Sequence, residues 1–567
     1  MLSKKCSLLT ILLGILVSMA MAQQENLPMN RNMILNYEKY LNAWDKPTFH
    51  TAMKPYNAAE VYKFVYPDTV QGYERVPHTN WFSKVVNVVG FENLLEFDEN
   101  GYVKHYGKIL AQDSVYYNDL IYDRGYKKRK VYVAINPIFN VGFGYDISGK
   151  KLLTNNLKGF ELRADIGQKV TLYTALLNTV NRFPEYVNLY TATTGVIPGE
   201  GNIRNRGKGG LDFSSICAYI SYSPNKYFNM QLGNGKHFIG DGYRSLLLSD
   251  NAYTYPYAQF TVNAWRIKYS MIYAELINNL KGFNDFTIGF PRKLATFNYF
   301  SIEPAKFLQF GVFEGITWRR TTAKGNTFFD YNFLNPVLGV RAFQNKVKEN
   351  TTQVYGFNVK VTCPKYVVVY GQVMLNKIGK RHTSDNRIGY QAGVKYFDVG
   401  GVKNLNFQAE FNNVNPYSYQ GEDSAIGYYH YNQSLGHPMG ANFREYLMMV
   451  NYQYKRIYAS YKLSYIQAGT DTTLQSNLGN NFMDAANTIT KTTDIKMFNG
   501  LGYSVLDNEI KAGYIINPKL NMVIEGRLQF RKYNAKILST QGFKTNSFMV
   551  TFATNIFNRY YDLPILF

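Results

Sequence analysis

A two-residue alternation of apolar and polar side chains repeats along most of this chain. In NMVIEGRLQFR, Met522, Ile524, Leu528 and Phe530 fall on one side of an extended backbone, with Glu525, Arg527, Gln529 and Arg531 on the other. REYLMMVNYQY sets Tyr446, Met448, Val450, Tyr452 and Tyr454 against Glu445, Leu447, Met449, Asn451 and Gln453. After a Lys-Arg turn, Ile457, Ala459, Tyr461, Leu463 and Tyr465 again oppose Ser460, Lys462 and Ser464. A period of two belongs to strands, because successive Cβ atoms leave opposite faces. Bulky apolar residues opposite charges suit a soluble sandwich or a barrel wall between lipid and a wet lumen.

Connector length separates these two. Short turns (IGQK, SPNK, CPK, EPAK, NPK) alternate with long polar connections at Asn181 to Gly210, about Asn412 to Phe443 and about Ala468 to Gly500. Short turns at one end and long loops at the other are the porin-type asymmetry. From Val131 to Phe557 the pattern gives about 16 to 18 strands, within the range of such barrels. The barrel must close, since an open edge in lipid leaves backbone groups unpaired. Hydrophobic residues make up 46% of the chain, yet its mean hydropathy is −0.28, and no internal run approaches the roughly 18 to 20 apolar residues of a membrane helix. The 49 Tyr and 38 Phe favour strands and interfacial girdles. The expected fold class is all-β, a transmembrane antiparallel β-barrel over residues 131–567. Residues 23–130 read as a less regular N-terminal extension, whether periplasmic, a plug or a segment inside the lumen.

The termini agree. MLSKKCSLLTILLGILVSMAMAQQ carries Lys4 and Lys5, an apolar stretch from Leu8 to Val17 and small residues up to Ala22, so residues 1–22 read as a signal peptide for export to an outer membrane. At the other end Phe548, Val550, Phe552 and Ile556 oppose Ser547, Thr551 and Asn555, and the chain finishes on Phe567, as barrel C-termini do. Only Cys217 and Cys363 remain after the signal peptide, so no disulfide framework is expected.

One stretch looks chemical: GNGKHFIGDGYRSLLLSD, from Gly233 to Asp250. Lys236 is followed by His237, which breaks the phosphate-loop pattern, and the glycine spacing fails the dinucleotide fingerprint. A His237–Asp241 or Ser245–Asp250 pairing lacks a third partner, and no G-x-S-x-G element occurs, so no catalytic residue is assigned. The glycines read as strand bends, and Lys236, Asp241 and Arg244 as a structural network of lumen-facing charges that can pair with one another. The histidines are scattered without ligand spacing, and neither a metal nor a cofactor is expected.

GNGKHFIGDGYRSLLLSD, with ISYSPNKYFNMQL before it, resembles the signature of the capsule-assembly Wzi-like and gliding-motility RemB-like outer-membrane barrels. SLGHPMGANFREY and FNRYYDLPILF look like further shared blocks. FLNPVLGVRAF does too, although the proline expected soon after Arg341 is missing. The resemblance implies a non-catalytic barrel of the cell-surface layer that binds exported polysaccharide, in capsule assembly or in the gliding or surface-export machinery. A porin-type channel for solutes or oligosaccharides is the alternative.

Sixty-two Lys plus Arg against 40 Asp plus Glu, a net +22, favours anionic partners. Acidic surface polysaccharide and lipopolysaccharide phosphate are expected, and nucleic acid is not, for want of any recognised module. The candidate ligand contacts are Arg204, Arg206 and Lys208 in EGNIRNRGKGG, Arg444 beside Glu445, and His437. Tyr428, Tyr429 and Tyr431, with Tyr190 as a neighbour, could stack on sugar rings.

Overall fold

A computed structural model describes most of residues 129–554, without 167–168, 208–209, 279–290, 323–324, 327–334, 340–350, 365, 378–385, 474, 492, 518–521 and 536–542. Before residue 129 it describes 49–57 and short pieces among 26–61, 96–97, 103–104 and 116–120. The signal peptide, Lys208, and the C-terminal residues 555–567 with Phe567 lie outside the described residues.

The wall is a closed, antiparallel barrel of 18 strands. In chain order these are β1 (Arg129–Asp146), β2 (Lys151–Ile166), β3 (Val170–Arg182), β4 (Gly210–Tyr222), β5 (Phe228–Gly235) and β6 (Tyr255–Ala264). There follow β7 (Ile267–Ile277), β8 (Arg292–Ala305), β9 (Leu308–Arg319), β10 (Thr351–Cys363), β11 (Val367–Lys377) and β12 (Arg387–Tyr396). The last are β13 (Leu405–Val414), β14 (Phe443–Tyr454), β15 (Ile457–Thr470), β16 (Leu501–Asn517), β17 (Met522–Ala535) and β18 (Lys544–Thr554). Each strand pairs with its neighbour in sequence, and β18 closes on β1 from Ser547↔Asp146 to Ala553↔Asn140. No helix among the described residues is long and apolar enough to cross a membrane.

The register sorts the side chains as the alternation requires. Phe548, Val550, Ile524, Leu528, Phe530, Tyr446 and Tyr454 point outward and are exposed, while Gln529, Arg531, Glu445, Lys462 and Ser464 are buried in the interior. Apolar groups outside and polar groups inside invert the order of a soluble barrel, and this is what a wall between hydrocarbon and a polar lumen requires. The interior atoms are satisfied laterally: Gln529 Nε2 donates to Asp507 Oδ1 at 2.9 Å, and Arg527 pairs with Glu509 at 2.5 Å.

The connections divide by end. Short turns link β2–β3, β4–β5, β6–β7, β8–β9, β10–β11, β12–β13, β14–β15 and β16–β17, and most long connections lie at the opposite mouth. The helix α1 (Glu185–Thr194) lies in the long connection after β3 and ends at Gly195, whose φ of 79° suits a left-handed cap. It buries Tyr186, Val187 and Tyr190. The lumen is filled from both mouths. The described pieces among residues 26–61 pack inside the barrel towards the short-turn end, residues 116–120 pair with the start of β1, and residues 236–254 fold inward from the long-loop end.

Candidate functional site

Gly233–Gly235 of GNGKHFIGDGYRSLLLSD belong to β5, but the following residues leave the wall and cross the lumen. The stretch is therefore more than a bent wall segment. Its Phe238–Ile239 pairs antiparallel with Met53–Lys54 of the N-terminal segment, Met53↔Ile239 and Lys54↔Phe238, and Gly240 N donates to Ala52 O at 2.7 Å. Gly240 adopts φ +150°, and a Cβ there would lie 2.4 Å from Gln372 Nε2, so a side chain at this crossing would be strained and would displace the Gln372 amide. Leu246, Leu247 and Leu248, all 0% exposed, anchor the stretch in the core with Phe297, Phe313 and Tyr428.

Charges seal the same crossing. Asp241 accepts from Thr51 Oγ1 at 2.5 Å and from Asn358 Nδ2 at 3.1 Å. Arg244 Nη2 lies 3.3 Å from Glu445 Oε1, with both side chains buried. Glu445 also meets His437 Nε2 at 2.9 Å and accepts from Ser464 Oγ at 2.9 Å. Backbone N–H groups of Tyr243 and Arg244 donate to Glu410. In the N-terminal segment, Glu38 pairs with Lys54 at 3.4 Å and contacts Lys395. Burial alone would raise the Glu38 carboxyl, but the two ammonium groups hold it at about 2. Lys360 Nζ donates to Thr51 Oγ1 at 2.8 Å and Asn42 Oδ1 at 2.9 Å. A buried pair stripped of one partner is costly, so these contacts hold segment and loop together.

Of the residues singled out by sequence, Lys236 reaches out of this crossing, its Nζ donating to Gly199 O at 2.5 Å. Asp241 and Arg244 have the partners given above, drawn from the N-terminal segment and the wall. Tyr428 and Tyr429 are fully buried, and their hydroxyls donate to Leu247 O and Ser424 O. His437 is 0% exposed and Tyr190 is buried, so these four side chains are placed for packing. His237 sits against Tyr257, ring centroids 4.4 Å apart, with its basicity pushed down to about 4 by burial. Arg444 is half-buried between Phe411 and Phe498. Arg206 lies in a short strand, Asn205–Gly207, paired to the start of β4.

Arg204 and Tyr431 share the long-loop rim, and two residues not singled out by sequence join them. Tyr431 meets Tyr253 edge to face, centroids 5.0 Å apart, and both are partly exposed. Arg204 and Glu200 act electrostatically on Tyr253, and Arg292 on Tyr431. Arg204 Nη2 donates to Asp212 Oδ1 at 2.8 Å, and Arg292 Nη1 to Glu275 Oε1 at 2.5 Å. Two long connections and the end of β7 are stitched together beneath the pair: Gly199 N donates to Gln433 Oε1 at 2.7 Å, Asn432 Nδ2 to Thr194 O at 2.8 Å, and Tyr431 N to Ile277 O at 3.0 Å. The result is a fixed aromatic ledge flanked by two exposed guanidinium groups, chemistry that suits sugar faces and their acid substituents. DNAYTYPY and FPRK place Tyr253 and Arg292 where loops meet strands, the one sequence signal that pointed to them. Among the described residues no group of three His, Cys, Asp or Glu gathers as for a metal ion.

No protein-family model matches the chain, and neither does any curated protein sequence. Among solved structures it is similar to Wzi, an outer membrane protein involved in group 1 capsule assembly in Escherichia coli and a carbohydrate-binding β-barrel, with TM-score 0.53 and 12% identity over 94% of this chain and 99% of that one. It is also similar to Pseudomonas aeruginosa OprD, with TM-score 0.39 and 8% identity over 74% of this chain and 94% of that one. A BenF-like porin from Pseudomonas fluorescens gives TM-score 0.40 and 9% identity over 74% of this chain and 98% of that one. At these identities the likeness is one of fold, an outer-membrane type of β-barrel.

Proposed function

We propose that this chain is an outer-membrane barrel of the cell-surface layer that holds acidic polysaccharide at its long-loop rim and has no catalytic role. The observation that carries the reading is the filled lumen. Residues 236–254 and the N-terminal segment meet across the barrel through paired strands, the core that holds the leucine run, and the bonds of Asp241 to Thr51 and of Lys54 to Gly240 O, while Arg244 ties the loop to Glu445 of the wall. A solute channel needs a continuous wet path, and this arrangement stands across it. The Tyr253–Tyr431 ledge with Arg204 and Arg292 then supplies the binding face. The likeness of fold to a carbohydrate-binding barrel supports the same reading, which serves capsule attachment and a gliding-related surface role alike, since each requires a glycan held outside the cell.

The test is binding of a purified uronic-acid polysaccharide to the full chain in detergent, compared with a neutral glucan. Tyr431→Ala is expected to weaken acidic-glycan binding about tenfold through loss of a ring contact, and the pair Arg204→Gln, Arg292→Gln at least about tenfold through loss of two charged hydrogen-bonding groups. Unchanged binding in both variants, with folding intact, would overturn the assignment.

A further inference from the structure

The net positive charge of the chain is not spread evenly. At the short-turn mouth Lys169, Lys226, Arg266, Lys306, Lys403, Lys455 and Arg456 are all exposed, at least one in each of six turns. The sequence places Lys365 and Lys519 in the two other short turns. Acids of the described turns face away: Glu303 is 2% exposed, and Asp398 is bound by Lys39 at 2.5 Å. Lys169, Lys226, Arg266, Lys306, Lys455 and Arg456 form no ion pair among the described residues. At the long-loop mouth four exposed cations have acidic partners, Arg204 with Asp212, Arg292 with Glu275, Arg319 with Asp423 and Lys496 with Asp494, while Lys150, Lys532 and Lys544 are exposed there without an ion pair among the described residues.

The turn cations are also held in place. Arg266 Nη1 donates to Pro304 O at 2.9 Å in the neighbouring hairpin, and Arg456 Nη1 to Ile516 O at 3.3 Å. Lys226 and Lys455 lie 5.0 and 5.2 Å from the rings of Tyr227 and Tyr454. Exposed aromatics stand at the same level: Trp265 at 94%, Tyr454 at 56%, Tyr366 at 45% and Phe307 at 42%. Aromatic rings beside fixed cations at the edge of an apolar band match a membrane–water interface, where rings sit at headgroup depth and cations meet phosphate.

We propose that this ring of turn cations binds the anionic phosphate headgroups of phospholipids in the leaflet at the short-turn mouth. The inference rests on the reading of the chain as a membrane barrel, and on charge complementarity along a whole mouth of the wall. It assigns the unpaired cations of the short turns to lipid, leaving the long-loop mouth with its locally paired arginines for the glycan.

The full chain would be reconstituted in nanodiscs of phosphatidylcholine mixed with phosphatidylglycerol. The lipids retained after transfer to mild detergent would then be quantified by mass spectrometry at low and high salt. Phosphatidylglycerol should be enriched severalfold at low salt and lose that enrichment at high salt. A variant carrying K169Q, K226Q, R266Q, K306Q, K455Q and R456Q should abolish the enrichment. Single-turn variants should lower it by up to about fivefold per cation, so the reading stays testable if the sixfold variant does not fold. Neutralising Arg204 and Arg292 should leave it unchanged. Equal retention of both lipids by the native chain would overturn the proposal. So would enrichment that survives all the turn substitutions, or turn variants that keep the lipid preference and lose binding to soluble polyglutamate, which would make an acidic periplasmic polymer the partner. Heat-shifted electrophoretic migration is read in parallel: its absence in the native chain would count against the membrane barrel itself.

Discussion

Leu247 and Gly356 offer a quantitative test of the filled lumen. Leu247 lies on the inward stretch, 0% exposed, in the main core cluster. Gly356 lies on β10, opposite Phe313 of β9 and Met374 of β11. A Cβ at Gly356 would sit 2.2 Å from Leu247 Cδ2, 3.0 Å from Cδ1 and 3.1 Å from Cγ. The body of the leucine would have to move, while β10 is fixed by ladders on both sides. Gly356→Ala should therefore cost about 1–3 kcal/mol by overpacking, and Leu247→Ala about 3–5 kcal/mol by leaving a cavity. In the double variant the new methyl occupies space vacated by the leucine, so its cost should fall at least about 1 kcal/mol below the sum of the single costs. Urea unfolding of the folded barrel in micelles, followed by tryptophan fluorescence, gives all three values. Additive costs within about 0.5 kcal/mol, or a neutral Gly356→Ala, would refute the packing of the inward stretch on β10.

Glu38, held at about 2 against an ordinary value of 4.5, contributes about 3 kcal/mol that is fully present above pH 4.5 and is lost as the pH falls towards 2. Proteolysis of the N-terminal segment should thus accelerate across that window in the native chain and be fast at every pH in Glu38→Gln. Asp484, in the loop after β15, behaves oppositely, because burial and the neighbouring Asp471 push its carboxyl up to about 7. The loop is most stable below about pH 4 and loses that stability as the pH rises through 7. Asp484→Asn should tighten it at pH 8 by on the order of 1 kcal/mol, discounted because the group is partly exposed, as read from amide exchange of residues 475–491. Trp265, at 94% exposure, should shift its emission to the blue when detergent is replaced by bilayer, so the shift should shrink in Trp265→Phe.

The wall was legible in the sequence because each strand carries its own evidence. The alternation in NMVIEGRLQFR and REYLMMVNYQY needs no distant partner, and the short turns mark where the strands reverse. The crossing of the lumen was not legible for the opposite reason. IGDGYRSLLLSD has no period, and its partners Thr51, Asn358, Glu410 and Glu445 lie far away in the chain. Tyr428 and Tyr429 show a second limit: an aromatic loop that plugs a lumen and one that stacks on sugar have the same composition, and only burial separates them. The basic ring was present in the quoted turns, since IGQK, SPNK, EPAK, CPK and NPK all end in lysine. Net charge summed over the whole chain does not show that these cations share one mouth.

Single-channel recording of the full chain in planar bilayers distinguishes a closed lumen from an open one. A lumen closed by the union of Met53–Lys54 with Phe238–Ile239 predicts insertion without a steady open conductance, and brief openings when Glu38→Gln and Asp241→Asn are combined. A steady open state in the native chain, blocked by added oligosaccharide, would make the protein a channel.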